Sequence, residues 1–227
     1  MKYHSIELLK KNIVECRSCD RLVEFRESIA QKKRRQFREW EYWGKPVPGY
    51  GDSNGSLLLT GLAPAAHGGN RTGRVFTGDK SADFLVRCLH EVGIANQPNS
   101  DSIDDGLELF NAYMTPVLKC VPPMDKPKPN ELLNCSKFFS QELVLLKNVS
   151  CILALGKIAF DSCLRYFRNQ FHFLMKDYPF GHGNKYILEN GIILIGSYHP
   201  SPRNVNTGRL TQSMMISLLE KVKKLIK

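Results

Sequence analysis

Apolar residues follow two different periods along this chain. In residues 5–14 and 20–41 they recur three and four positions apart, which predicts two helices, the second long and basic. Glycine and proline break that spacing in Gly44-Lys45-Pro46-Val47-Pro48-Gly49-Tyr50-Gly51, and the compact apolar run after it predicts a strand at 56–61. A glycine-rich loop follows, then helical spacing over 80–93. The pattern continues with a strand at 111–118, a proline-rich loop at 122–129 and a helix at 130–147. Cys151-Ile152-Leu153-Ala154-Leu155 reads as a buried strand, and Gly156 opens a helix to 168. A last strand at 191–196 and a last helix at 211–226 complete the pattern.

Four apolar strands separated by helices predict an α/β fold: a three-layer α/β/α sandwich around a central, mainly parallel, four-stranded sheet. The expected organisation is a single domain over residues 1–227, with an N-terminal helical region at 1–45. Parallel sheets bind ligands beyond the carboxyl ends of their strands. Three segments rich in Gly, Pro and polar residues begin at those ends, namely 61–79, 119–129 and 197–209. They locate a site before any function is considered.

Composition adds a class and a compartment. The chain is 42% apolar and 10% aromatic, which is ordinary for a globular protein. It has no run near the ~20 apolar residues that span a bilayer. Its first residues include an early acid and no apolar signal core, so the expectation is an intracellular, cytoplasmic protein; a monomer is also expected. The formal charge of +10 is unevenly spread. Residues 1–45 hold 12 Lys and Arg against 7 Asp and Glu, 46–196 hold 14 of each, and 197–227 hold 6 against 1. The excess sits at the two ends and includes the run Lys32, Lys33, Arg34, Arg35. A basic surface attracts a polyanion, nucleic acid being the usual one, although a solvated helix face gives the same count.

Seven cysteines, an odd number, argue against a disulfide framework. Cys88, Cys151 and Cys163 have apolar neighbours and read as core. Cys16 and Cys19 stand among Glu15, Arg17 and Asp20, poor company for buried thiols, and Cys120 and Cys135 make a second, wider pair. Four thiolates hold either a tetrahedral zinc or an iron–sulfur cluster, and the spacing leaves both open.

The stretch Gly61-Leu62-Ala63-Pro64-Ala65-Ala66-His67-Gly68-Gly69-Asn70-Arg71-Thr72-Gly73-Arg74-Val75-Phe76-Thr77-Gly78-Asp79 follows a strand and precedes a helix. Its glycines let backbone N–H groups approach a ligand, yet it is neither a dinucleotide-binding nor a Walker loop. It closely resembles the first motif of family 5 uracil-DNA glycosylases. Ser197-Tyr198-His199-Pro200-Ser201-Pro202-Arg203-Asn204-Val205-Asn206-Thr207-Gly208-Arg209 is similar to the His-Pro-Ser motif of that superfamily. The four cysteines match the ligand pattern of families 4 and 5.

The resemblance implies a hydrolase that extrudes uracil from DNA and breaks its N-glycosidic bond, leaving an abasic site for base excision repair. It also implies a 4Fe–4S cluster on Cys16, Cys19, Cys120 and Cys135. Site roles follow in the same way. His199 hydrogen-bonds the leaving base, Asp79 is the candidate for water activation, and Asp125 stands where the family usually has asparagine. Leu62, Ala63 and Phe76 surround the extruded base, Phe76 as its stacking platform. Arg71, Ser201, Arg203, Asn204 and Arg209 contact DNA, with 200–209 as the loop that enters the groove. Both basic ends would grip phosphates.

An apolar Ala63 where most of the superfamily has a polar side chain implies a broad range: uracil, hypoxanthine, xanthine, hydroxymethyluracil or ethenocytosine. No lysine in the motifs stands out as a Schiff-base nucleophile, so the expected product is an unbroken strand. Asp79 also reads as a helix N-cap and Phe76 as a core aromatic. Three rival readings are a non-catalytic metal-bound nucleic-acid module, a zinc protein of the same fold, and a family 4 enzyme. That last family carries Gly-Glu-Ala-Pro-Gly where this chain has Gly61-Leu62-Ala63-Pro64-Ala65.

Overall fold

The computed structural model describes residues 3–226. Its elements in chain order are α1 (Ile6–Val14), α2 (Asp20–Lys32), β1 (Tyr50–Gly51), β2 (Leu57–Gly61), α3 (Gly69–Thr72), α4 (Lys80–Glu91), β3 (Ala112–Pro116), α5 (Pro129–Leu145), β4 (Cys151–Leu155), α6 (Lys157–Arg168), β5 (Lys185–Ile187), β6 (Ile193–Ser197), α7 (Pro202–Asn206) and α8 (Gln212–Leu225). The sheet order is β1-β3-β2-β4-β6-β5.

The expected parallel core is present as β3-β2-β4-β6, with Leu57 opposite both Ala112 and Cys151, and Cys151 opposite Ile193. The four-stranded count needs correction, because β1 and β5 pair antiparallel at the two edges and make six strands. These edge strands are two and three residues long, and β5 presents exposed Lys185 and Ile187. Short, polar edges carry no apolar run, and they also resist pairing with other chains.

Successive residues of a strand face opposite sides of the sheet. Leu57, Leu59, Leu153, Leu155 and Ile195 pack with Leu85, Leu89, Leu218 and Val222, which belong to α4 and α8. Leu58, Ile152, Ala154 and Leu194 pack with Phe139 of α5 and Phe160, Cys163 and Phe167 of α6. Two helical layers therefore enclose a sheet that is apolar on both faces. Cys88, Cys151 and Cys163 are fully buried within them.

The N-terminal helices form a third cluster, in which Leu9, Ile13 and Leu22 meet Leu118, Cys135 and Phe138. Arg21 fastens α2 to α5 through both carboxylate oxygens of Glu131, at 2.7 Å each. The helix expected over 20–41 ends at Lys32. Lys33 takes φ +50°, a left-handed conformation that stops an α-helix, and 35–37 form only a 3-10 turn. The chain then folds back, with Trp43 N and Gly44 N donating to Arg71 O and Asn70 O at 2.9 and 3.0 Å.

Candidate active site

A cavity of about 870 Å³ opens at the carboxyl ends of the parallel strands. All three segments expected there contribute: Leu62, Ala63 and Asp79 from the first, Asp125 from the second, His199 and Ser201 from the third. A fourth segment, Leu155 to Ala159 at the β4–α6 junction, completes the wall. Sequence reasoning passed over it, although Gly156 directly after an apolar strand was the available signal. Gly156 has φ +102° and lies against His199, where a Cβ would stand 3.4 Å from that of the histidine. Side-chain-free backbone lets the two loops close on each other.

Asp79 is the N-cap of α4, as an aspartate before a helix should be. Its Oδ1 accepts from Ser81 N at 2.8 Å and Ala82 N at 3.1 Å. Oδ2 makes no hydrogen bond among the described residues and lies against Gly68, also on the cavity wall. Burial raises the Asp79 carboxyl above the usual range, against the lowering effect of the two amides. The cap and an uncommitted oxygen thus coexist in one side chain.

His199 follows β6. Asn204 Nδ2 donates to its carbonyl at 2.8 Å, fixing the backbone, while neither ring nitrogen has a hydrogen-bond partner among the described residues. Burial depresses the imidazole to about 4, so the ring is neutral near pH 7. Phe76 lies behind it, ring centroids 5.8 Å apart, in a left-handed conformation at φ +49°. Phe76 is 7% exposed and belongs to the core cluster. It packs under Gly61 and His199 and is not among the residues that wall the cavity.

Asp125 is exposed and left-handed at φ +55°, a region that aspartate and asparagine tolerate better than most residues. Leu62 and Ala63 line the cavity where they were expected, and Ala63 also packs against the third cluster, which holds Leu118, Cys135 and Phe138. The stretch 200–209, expected as a loop, contains α7. Pro202 opens this helix, and Ser201 caps it by accepting from Asn204 N at 3.4 Å. Arg203 and Arg209 are exposed, and Arg209 lies 4.4 Å over the Tyr198 ring.

The two basic ends part company. Arg34, from the N-terminal run, lines the cavity together with Phe37 and Trp40, three residues that the periodic pattern had assigned to a helix. On α8, by contrast, Lys223 Nζ donates to Val92 O at 2.6 Å, at the C-terminus of α4. Asp79 marks the other end of that 12-residue helix, about 18 Å away. Lys223 therefore lies far from the cavity, whereas Arg203 and Arg209, from the same basic end, are exposed on the stretch that follows His199.

Cys16, Cys19, Cys120 and Cys135 line one small cavity, closed by Leu22 and Phe138. Arg26 Nη1 donates to Cys120 Sγ at 3.0 Å, and Lys119 N to Cys135 Sγ at 3.2 Å. Among the described residues no three His, Cys, Asp or Glu side chains are grouped closely enough to hold a single metal ion. Asn70 Nδ2 donates to Arg26 O at 3.2 Å, tying this region to the first-motif loop.

Residues 48–223 match the family model described as the uracil DNA glycosylase superfamily. The chain is 45% identical over 221 residues to the type-5 uracil-DNA glycosylase of Thermus thermophilus, covering 96% of this chain and 97% of that one. It is 42% identical over 209 residues to the Pyrobaculum aerophilum type-5 enzyme, with 92% and 88% covered. Against the Mycobacterium tuberculosis type-5 enzyme it is 44% identical over 225 residues, with 97% and 82% covered.

Proposed function

This chain belongs to the uracil DNA glycosylase superfamily, among the type-5 enzymes, and we propose that its cavity takes up an extruded uracil, hypoxanthine or xanthine and releases the base by hydrolysis. Uracil excision in DNA repair is the part its relatives carry directly. The wider range rests on the apolar Leu62 and Ala63 wall, which offers no side-chain hydrogen bond to reject a related base.

One observation carries the reading. Asp79, with an uncommitted carboxylate oxygen, and His199, with an unpaired ring, face a single cavity at the strand ends. An enzyme that acts on a base within a duplex must swing it out of the stack. Cleavage then places positive charge on the sugar and negative charge on the departing base. Ionised Asp79 orients a water and offsets the sugar's charge. Neutral His199 donates one ring N–H to a carbonyl oxygen of the base, without itself carrying charge that the buried site would oppose. Asp125 accepts hydrogen bonds but donates none when ionised, so it recognises a base N–H in place of a carbonyl. Ser201, Arg203, Asn204 and Arg209 present the α7 turn to the DNA.

The four cysteines fit the 4Fe–4S cluster that the family pattern implies, and a buried charge supports that fit. Arg26 is 2% exposed, and its Nε has no hydrogen-bond partner among the described residues. The Glu27 carboxylate 3.8 Å away is taken up by Arg17. Metal-bound thiolates would supply the negative charge that this guanidinium lacks. Such a cluster would cross-link α2 to the loop after β3 and to α5, holding the first-motif loop through Asn70.

The test is an assay on duplex and single-stranded DNA carrying uracil, hypoxanthine or xanthine, followed by alkali. Alkali-dependent cleavage at each base is expected, with an intact strand before alkali. Cleavage without alkali, or none at uracil, would refute the reading.

A further inference from the structure

Ten large apolar side chains are exposed among the described residues, and of these only Trp40 and Ile158 belong to the cavity wall. Trp40 is 38% exposed and is the one of the two that offers an aromatic face. Its surroundings in the chain are basic: Arg34, Arg35 and Arg38 are exposed, and Glu39 is the single acid between residues 33 and 40. The excision step proposed above uses none of these residues. An aromatic ring among cations is the arrangement that holds single-stranded nucleic acid, the ring stacking on a base and the cations following the backbone.

The ring is held in place by its neighbours. The Arg71 guanidinium lies over it, 4.0 Å from the centroid, and the Phe37 ring meets it edge-on at 6.1 Å. The backbone beneath is folded into tight turns, Phe37 N donating to Arg34 O at 2.8 Å and Trp40 N to Phe37 O at 3.1 Å. Arg34 N donates in turn to Tyr42 Oη, which is hydrogen-bonded to His67 of the first-motif loop at 3.1 Å. A side chain already fixed loses little conformational freedom when a ligand stacks on it. Trp40 is also close to the reacting groups, because Arg71 reaches from its ring to Gly78 O at 2.9 Å, and Gly78 precedes Asp79. Pockets that enclose whole drug-sized ligands measure roughly 300–1,000 Å³. A nucleobase is smaller than such a ligand, so a cavity of about 870 Å³ has room for more than one base.

We infer that Trp40 stacks on the base next to the extruded uracil in the same strand, so that the cavity receives two successive unstacked nucleotides. This rests on the reading of the cavity as the site that receives the uracil. The substrate it fits is single-stranded DNA, in which a neighbouring base is free to leave the stack, whereas in a duplex that base is held by its pair. Asp79 and His199 act on the uracil nucleotide, and Trp40 positions the strand beside it. Every base has a π-face, so the contact is independent of sequence.

An abasic scan in single-stranded DNA tests this. Each neighbour of a single uracil is replaced in turn by a tetrahydrofuran abasic analogue. The kcat/KM is measured for the wild type, Trp40→Ala and Trp40→Phe, and again on intact duplex. In the wild type the loss of one neighbouring base is expected to cost about tenfold, within the range of base–aromatic stacking. Trp40→Ala should lose about as much on intact single strands, show no further loss at that position, and fall clearly less on duplex DNA. Trp40→Phe, which keeps a ring, should retain most of the rate. Should Trp40→Ala fail to fold, as circular dichroism will tell, Trp40→Leu, with apolar bulk and no π-face, decides in its place. Wild-type indifference to both neighbours would overturn the inference, as would release of uracil from duplex alone. So would a folded Ala or Leu variant that stays as sensitive to the scan as wild type, or that slows equally on both substrates. Absence of uracil release by the wild type from either substrate would instead count against the underlying reading of the cavity.

Discussion

The second carboxylate oxygen of Asp79 occupies the space in which a Cβ on Gly68 would stand. Gly68 has φ −101°, so glycine is required here for room and not for a left-handed backbone. Gly68→Ala removes no polar group, yet it must displace Asp79 or the loop. Uracil excision is expected to fall by about a hundredfold, since misplacement of a reacting group by ~1 Å costs that much. Steady-state kinetics beside a thermal melt checks this: a large loss in kcat with a small change in Tm is the expected split.

Because burial depresses His199 to about 4, the ring stays neutral through the working range. A depressed histidine favours the folded state above its unfolded value near 6.5, and that stability is lost as pH falls towards 4. Proton NMR of the ring across pH 8 to 4 should show no titration near 6.5. The acid limb of kcat/KM should then belong to Asp79, and it should lie above the ordinary carboxylate range because burial raises that carboxyl. His199→Gln, which retains a donor, should keep the position of that limb while lowering the rate.

Asp125 accepts where asparagine would also donate. Its left-handed backbone suits either residue, so Asp125→Asn should fold as wild type does. The kcat/KM for uracil and for hypoxanthine is expected to rise together in that variant, by about tenfold or less, because each base sets a carbonyl beside a ring N–H and the amide can serve both; steady-state kinetics on the two substrates measures this.

For the cysteine cavity, iron and sulfide analysis of purified protein should return about four of each per chain. Cys120→Ser should lose the iron and lower Tm. Arg26→Met should retain the iron but alter the visible spectrum, because its hydrogen bond to Cys120 Sγ is removed.

The buried frame was legible because its signal is local. β2, β3, β4 and β6 are apolar runs buried along nearly their full length, and the boundaries of β4 and α6 fall where Gly156 marks them. The edge strands β1 and β5 were not legible, being set by pairing with β3 and β6 and not by their own residues. The segment 33–41 was misread for a similar reason. Phe37 and Trp40 sit at helical spacing, but they pack on Arg71, a partner some thirty residues away that periodicity cannot reveal. In the site, the loops around Asp79, Asp125 and His199 were readable from strand order, and the four cysteines from their company. Phe76 stands in the first motif, and only packing places it in the core behind His199. The stacking of Arg71 against Phe37 and Trp40 appears only in space.

Asp79 has two separable duties, capping α4 through Oδ1 and facing the cavity with Oδ2. Asparagine preserves the cap, whereas Asp79→Ala should cost about 1 kcal/mol of stability. The decisive measurement is single-turnover uracil release by Asp79→Asn on duplex DNA, at enzyme concentrations that saturate binding. The account predicts a rate lower by at least about a hundredfold, with Tm at neutral pH equal to or above that of wild type. A rate within a few fold of wild type would contradict it and reduce Asp79 to a helix cap.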